Sequence, residues 1–505
     1  MLASQLQPAG TAIEGRLPIS AAASLRLAVL LFLFLNCAYL VTSSGRARTM
    51  DEIDPVLQSE NLLLRHSAAI PQAPNSDIYF GKVDRHGVPR SAWPVGQAFA
   101  ALPWSALGHY WFARLPGIPR GISDLAYGAA VCWSNATFTA LAVAAAFLLF
   151  VGLGLAPRSA LAASLLMAFC TPLWVYSAWL YSEPVTLLCL IAAAMLWFRG
   201  EESSIARSVM AALLVAYSLH VRPANVVLAA VFVVASAVME HSEERQGFRY
   251  RRTALLAAVL LVFGALYLWR NYAYFGNSLD FGVPTRAEGG KELDSWHGPF
   301  HVGLFGFLFS PGKSIFLFCP PILLGIAGVP RLWRINRGLA VFCAGSALVN
   351  LIFYSFRTQF EGGWGYGPRH MTPSMILLSL PAATLFRDPP EWFKPALWFC
   401  AVTGFLVQAL GLATNFIEDM VANHYYVGNW NYRMGYSPIN GQLRLIWKYL
   451  HQPAAGLGLG WDRWFVFLHA AGASWTPLLL LLAVFLVGTF GFGVMLWRAS
   501  QSIAS

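Results

Sequence analysis

Long apolar stretches, repeated from one end of the chain to the other and almost free of charge, constrain this fold most. The first, Leu25–Val41 (LRLAVLLFLFLNCAYLV), is long enough to enter a bilayer. Further runs of this kind give about twelve expected spans: 25–44, 127–154, 159–179, 183–199, 206–220, 223–240, 254–275, 313–330, 338–356, 371–387, 394–417 and 475–497. The 205–240 region also fits one broken hairpin. The runs are continuous and not alternating, which selects helices over a barrel. Only 11% of the 505 residues are charged, against about 25% in a soluble domain. The fold class expected is therefore an all-α polytopic membrane protein.

Charge sets the topology. The formal net charge is +10, and much of it lies in short connections: Arg158, Arg199 with Arg207, Arg245 to Arg252, Arg331 to Arg337, and Arg387 with Lys394. The positive-inside rule places these on the cytoplasmic side, with both termini. The basic excess is thus no nucleic-acid signature. The long connections, 45–126, 276–312, 357–370 and 418–474, then face outward with most spare carboxylates. The expected organisation is a short cytoplasmic N-terminus (1–24), a transmembrane module (25–417) whose first outer loop is 45–126, an outer loop (418–474), and a last span with its tail (475–505). The first stretch lacks a clean small-residue cleavage site, so it reads as a retained helix. The seven cysteines all fall in apolar spans, so they give neither a disulfide framework nor a metal spacing.

Within the first outer loop, Glu60–Ala69 reads as an interfacial amphipathic segment and Ala92–Pro103 as a short proline-bracketed helix. The loop 418–474 is rich in Tyr and Trp. Interfacial anchoring accounts for these rings, and so does stacking on a sugar or covering a lipid.

Chemistry-bearing residues cluster at the outer turns. Asp51-Glu52 directly follow the first span. They read either as a hydrated acidic flank or as a general base able to take a hydroxyl proton; one acidic pair does not specify a metal site. Glu361-Gly362-Gly363-Trp364-Gly365-Tyr366-Gly367-Pro368-Arg369-His370 places four glycines in seven residues before an arginine at a span's mouth. That pattern suits close backbone approach to a ligand and bidentate phosphate binding, or a loop with a snorkelling arginine. His220 with Arg222, and Glu183 after Tyr181-Ser182, sit at two further outer turns. Ser310-Pro311-Gly312-Lys313-Ser314 lacks the full phosphate-loop pattern, and no strand precedes it, so nucleotide binding is rejected there. Lys313 reads as a headgroup contact or a second phosphate ligand.

The order of Met50-Asp51-Glu52, Trp93-Pro94-Val95-Gly96-Gln97 with Leu102-Pro103, Phe309-Ser310-Pro311-Gly312-Lys313, and Gly362-Gly363-Trp364-Gly365-Tyr366-Gly367-Pro368-Arg369 resembles the GT-C superfamily of membrane glycosyltransferases. The likeness is to bacterial transferases of the protein O-mannosyltransferase and aminoarabinose-transferase type, and it covers roughly residues 25–385. It implies a GT-C-like fold with interfacial helices in the outer loops, and an inverting enzyme at the outer face of a bacterial inner membrane. The sugar would move from a polyprenyl-phosphate donor to a hydroxyl of a glycan, lipid or protein. Asp51 is the implied catalytic base, with Glu52 beside it. Arg369 is the implied phosphate ligand, with Lys82 and Arg222 behind it, and His370, Asp77 and Tyr366 complete the expected binding set. No cofactor is expected, though a divalent cation has room beside the acidic pair. The Trp-Trp-Asp signature, a large C-terminal soluble domain and a β-trefoil insertion are absent, which argues against en-bloc transfer to Asn and puts a protein acceptor in doubt.

A lipid or sugar transporter is the rival class. It requires ionisable groups near the midplane of spans, and interiors such as 139–151 and 255–268 carry none. A surface-polysaccharide polymerase or ligase would share lipid-phosphate recognition.

Overall fold

The computed structural model describes residues 20–73, 80–199, 204–242, 250–283, 296–363, 365–423 and 430–502. Asp77 and Trp364 therefore lie outside the described residues, as do Tyr425 and Tyr426. The described fold is helical throughout. Its only paired strands are a short antiparallel ribbon, Gly81–Val83 with Pro89–Ser91.

Among the described residues, seven helices are long and apolar enough to cross a membrane: Ala21–Thr42, Arg120–Gly152, Pro223–Ser242, Arg251–Phe275, Arg337–Ser355, Phe393–Ala413 and Trp475–Ser502. The expected count of twelve is not met by helices of full length. Proline and short turns divide the rest. The expected span 159–179 stops at Cys170, before Thr171-Pro172, and 313–330 breaks at Pro320-Pro321 into Ile315–Phe318 and Ile322–Ile335. The span 371–387 becomes Thr372–Ser379 followed by a tighter turn of helix, and 183–199 is a 16-residue helix. Sixteen residues reach about 24 Å, short of an apolar slab of about 30 Å. The 205–240 region is two helices, Ile205–Val221 and Val226–Ser242, joined through Pro223–Asn225.

Helix packing relies on small side chains. Ala126, Ala129, Ala130, Ala136, Ala140 and Ala146 are fully buried along Arg120–Gly152, which lets neighbouring backbones approach closely. One end of the bundle is tied by basic and amide groups: Asn336 Nδ2 donates to Phe198 O at 2.9 Å, and Arg252 Nη2 to Trp197 O at 3.0 Å. The opposite helix ends, at Thr42, Glu183, Val221 and Ser355, lead into the segments that carry the acidic and basic residues of interest.

The segment 45–126 differs from its expected form. The helix does not begin near Glu60; it runs Met50–Arg65 and takes both carboxylates into its first turn. Thr49 and Glu52 explain the early start. The Glu52 carboxylate accepts from Arg48 N at 3.0 Å and from Thr49 Oγ1 at 3.3 Å, satisfying groups at the helix entrance, while acidic side chains there suit the helix dipole. The segment after it forms two short helices, Gly96–Ala100 and Leu102–Tyr110.

Candidate functional site

The turn 178–182 is the platform of the site. Pro172 and Pro184 bracket it, so it cannot continue a helix through its length. Its backbone is held by buried side chains: Asn135 Nδ2 donates to Trp179 O at 2.5 Å and to Tyr181 O at 2.7 Å, and Leu180 N donates to Glu52 Oε1 at 3.3 Å. The turn delivers Tyr181 and then Glu183, the first residue of helix Glu183–Phe198.

The Glu183 side chain is fully buried. Its Oε1 accepts from Arg369 Nε at 3.0 Å and from Arg222 Nη1 at 3.0 Å, so one carboxylate oxygen joins two guanidinium groups. Its Oε2 is buried with no hydrogen-bond partner among the described residues. Arg369 lies with its guanidinium carbon 3.8 Å from the centre of the Tyr181 ring, a cation–π contact, and its Nη1 donates to Asp51 Oδ2. Residues 318 positions apart thus form an ion pair. Burial works against the charge of Arg369, but Asp51 and Glu183 more than offset it and hold the group firmly protonated.

His370 extends this cluster. Arg222 Nη2 faces its Nδ1 and Arg357 Nη1 faces its Nε2, while the Tyr354 ring stacks on it at 4.7 Å. Burial, then Arg357 and Arg222, push the imidazole well below its ordinary range, so it is neutral. Below the arginines, Lys313 stands in the turn before Ile315–Phe318 and is fully buried. Its Nζ donates to Gly365 O and Gly367 O at 2.9 Å each and to Gly363 O at 3.4 Å. It is thus a peg for the glycine-rich loop. Burial lowers its pKa to about 7, with Glu361 opposing that shift. The loop fits only with glycine at 365, where an added Cβ would stand 2.7 Å from Arg369 Cβ.

The structure brings Asp51, Arg369, Arg222 and His370 into one cluster. It sends the other sequence candidates elsewhere. Glu52 turns away from Asp51 to cap the helix entrance and hold Leu180. Burial raises its pKa, and Arg48 opposes this. Lys82 pairs with Asp280 at 3.0 Å on the ribbon. Tyr366 is buried, with its hydroxyl donating to Val407 O at 2.7 Å, and it packs edge-on to Phe318 and Phe416, so it acts as a packing residue beside the loop. Among the described residues no group of three or more His, Cys, Asp or Glu is placed to hold a metal ion.

Sequence reasoning passed over Arg357 altogether and left Glu183 open between a functional group and a first-turn acid favoured by the helix dipole; it does open the helix Glu183–Phe198. The available signal was position: both stand at or just beyond helix ends, as Arg222 does. It also missed Asp462, which accepts from Arg46 Nε at 3.2 Å and Arg48 Nη1 at 2.5 Å and so pins the segment 418–474 onto the approach to Asp51. The aromatic segment 430–437 packs here too. Gly312 N donates to Asn431 O at 3.1 Å, and the Trp430 ring lies 5.3 Å from Lys313 Nζ.

No family model matches the chain, and no curated protein matches it. Among solved structures it is similar to ArnT from Cupriavidus metallidurans, in the crystal structure bound to undecaprenyl phosphate. That likeness has 16% identity and a TM-score of 0.45, and covers 96% of this chain and 78% of that one. At that identity and score it assigns no residue and no ligand here.

Proposed function

We propose that this chain is a membrane glycosyltransferase that moves a sugar from a polyprenyl-phosphate donor to a hydroxyl acceptor at the outer membrane face. The observation that carries the reading is the Asp51–Arg369 pair: a carboxylate in the first turn of Met50–Arg65 and a buried guanidinium anchored on Glu183 and Tyr181. The sequence resemblance to the GT-C superfamily supports it independently.

The chemistry divides between the two groups. The acceptor oxygen attacks the anomeric carbon and its proton passes to Asp51. The bond from that carbon to the phosphate oxygen breaks, and the electron pair leaves with the lipid phosphate. The leaving group gains a negative charge, which Arg369 and Arg222 are placed to stabilise electrostatically; removal of one such donor typically costs 10²- to 10³-fold in rate. Attack opposite the phosphate inverts the anomeric centre. Arginine supplies the positive charge in this scheme, and a cofactor has no step in it.

The test is transfer of label from a panel of radiolabelled polyprenyl-phosphate sugars into membrane extract, comparing the purified chain with Asp51→Asn. Undecaprenyl phosphate, the lipid in the ArnT structure, is the first carrier to try. Transfer that needs an intact Asp51 supports the reading. Full activity of Asp51→Asn would sink it, as would lipid flipping without transfer.

A further inference from the structure

The Asp51–Arg369 contact, as it stands, is a resting arrangement that must open for the reaction just proposed. In a single displacement the attacking oxygen and the departing phosphate lie on opposite sides of the anomeric carbon. The group that deprotonates the acceptor and the group that holds the phosphate must be apart by the width of the reacting centre. Inverting glycosidases, which also pass a proton on one face while a group leaves from the other, keep their paired carboxyls about 6.5–9.5 Å apart for this reason. Here Asp51 Oδ2 is in direct hydrogen-bond contact with Arg369 Nη1. The sugar has no place between them.

We infer that the Asp51–Arg369 ion pair is a latch: a lipid-phosphate headgroup takes over the outer edge of Arg369 and so frees Asp51 to act as base. The inference rests on the transferase reading and adds to it the control of the base by donor binding. The geometry also says which partner moves. Arg369 is fixed on three sides: Nε on Glu183 at 3.0 Å, its face on Tyr181 at 3.8 Å, and its stem against Gly365. Its side chain is 9% exposed, and that of Asp51 is 21% exposed. Asp51 sits in the first turn of Met50–Arg65, where its only described hydrogen bond is the one to Arg369. Arg369 therefore stays and Asp51 leaves. A guanidinium carries five donors in two edges, so one edge can remain on Glu183 while the other exchanges a carboxylate for a phosphate.

Exchange has a thermodynamic signature. A ligand that must displace an internal competitor binds more weakly, by the fraction of molecules in which the site is open. Removing the competitor's charge restores that affinity. Asp51→Asn should therefore bind undecaprenyl phosphate more tightly than the wild-type chain, by about tenfold or more for a latch closed in about nine molecules of ten, although it transfers no sugar. Arg369→Gln should bind it at least about tenfold more weakly, the loss of one charge-assisted contact.

The experiment is titration of the purified full chain, Asp51→Asn and Arg369→Gln with undecaprenyl phosphate, read by native mass spectrometry. Tighter binding by Asp51→Asn together with weaker binding by Arg369→Gln supports the latch. Asp51→Asn binding at wild-type strength, with dependence on Arg369 intact, overturns the latch and leaves the transferase reading standing. Binding that ignores Arg369 overturns both. A second measurement needs no variant to fold: modification of Asp51 in the wild-type chain by a water-soluble carbodiimide and an amine, followed by peptide mass spectrometry. Undecaprenyl phosphate should raise Asp51 labelling severalfold, and unchanged labelling at saturating lipid counts against the latch.

Discussion

Replacing Glu183 by Gln keeps the shape of the site's hub and removes its charge. In the wild-type chain Oε1 accepts from both Arg369 and Arg222 at 3.0 Å, wholly away from water. Hydrogen bonds to a charged group contribute about 1.5–3 kcal/mol each, against about 1 kcal/mol for neutral pairs. The amide oxygen can still accept from both arginines, which stay charged, so each bond loses only the acceptor's charge, at about 1 kcal/mol. The amide NH2 must then occupy the place of Oε2, which has no described partner, at a further cost of up to about 1 kcal/mol. The total is about 2–3 kcal/mol, and at about 1.4 kcal/mol per factor of ten this is a 30- to 150-fold loss in kcat/KM if the whole cost falls on the placement of Arg369. The assay is transfer from whichever donor the panel identifies, with KM and kcat separated. Glu183 touches no reacting atom in this scheme and acts through the two arginines, which hold the donor phosphate and stabilise its developing charge, so its loss should raise donor KM and lower kcat together. Glu183→Asp, which restores charge but loses reach, should fall between. A Glu183→Gln enzyme with kcat/KM within threefold of wild type would refute the idea that the buried carboxylate positions the arginines.

Further expectations follow from neighbouring geometry. Gly365→Ala puts a methyl group 2.7 Å from Arg369 Cβ and should cost about 100-fold in transfer, as small displacements of positioning groups do; near-normal activity would show that the loop yields freely. Lys313→Met removes the cation that gathers three carbonyls of that loop, and should lower transfer while exposing 362–367 to proteolysis; an unchanged digestion pattern would refute the peg. Asp54 offers a pH test. Burial, then the charge of Asp51, raise its pKa to about 7 from an unperturbed value near 4, against the Ser91 hydrogen bond. The folded chain therefore binds the proton more tightly than the unfolded chain. The stability contributed by this group is complete below about pH 4 and is lost as pH rises to about 7. Asp54→Asn should flatten that slope in thermal unfolding followed from pH 4.5 to 7.5, and an equally steep slope in the variant would refute the assignment.

The sequence shows the class of fold because hydrocarbon thickness and backbone hydrogen bonding leave a chain like this few options. It shows the length of individual helices less well. Hydropathy runs straight through Pro172, Pro320-Pro321 and Pro381, where helices end or tighten, although Pro55 and Pro330 are accommodated inside helices. For the site, residue type and outer position pointed to Asp51, Arg369, Arg222 and His370, because ionisable groups beside an apolar slab are costly to hold without a purpose. Partnership was not legible. Lys82 and Arg222 look alike as lone cations in outer segments, yet Asp280 takes one and Glu183 the other, and only packing decides between them. The acidic pair makes the same point over one residue. Successive helical side chains diverge by about 100°, so once Thr49 sets the helix start, Asp51 and Glu52 cannot serve one site. Asp51 meets the arginine. Glu52 turns inward to Arg48 and Leu180, and through Leu180 it holds the turn that presents Tyr181 and Glu183. The second carboxylate thus bears on the chemistry through the backbone: exchanging it should disturb where Arg369 stands, and the proton transferred to Asp51 never reaches it.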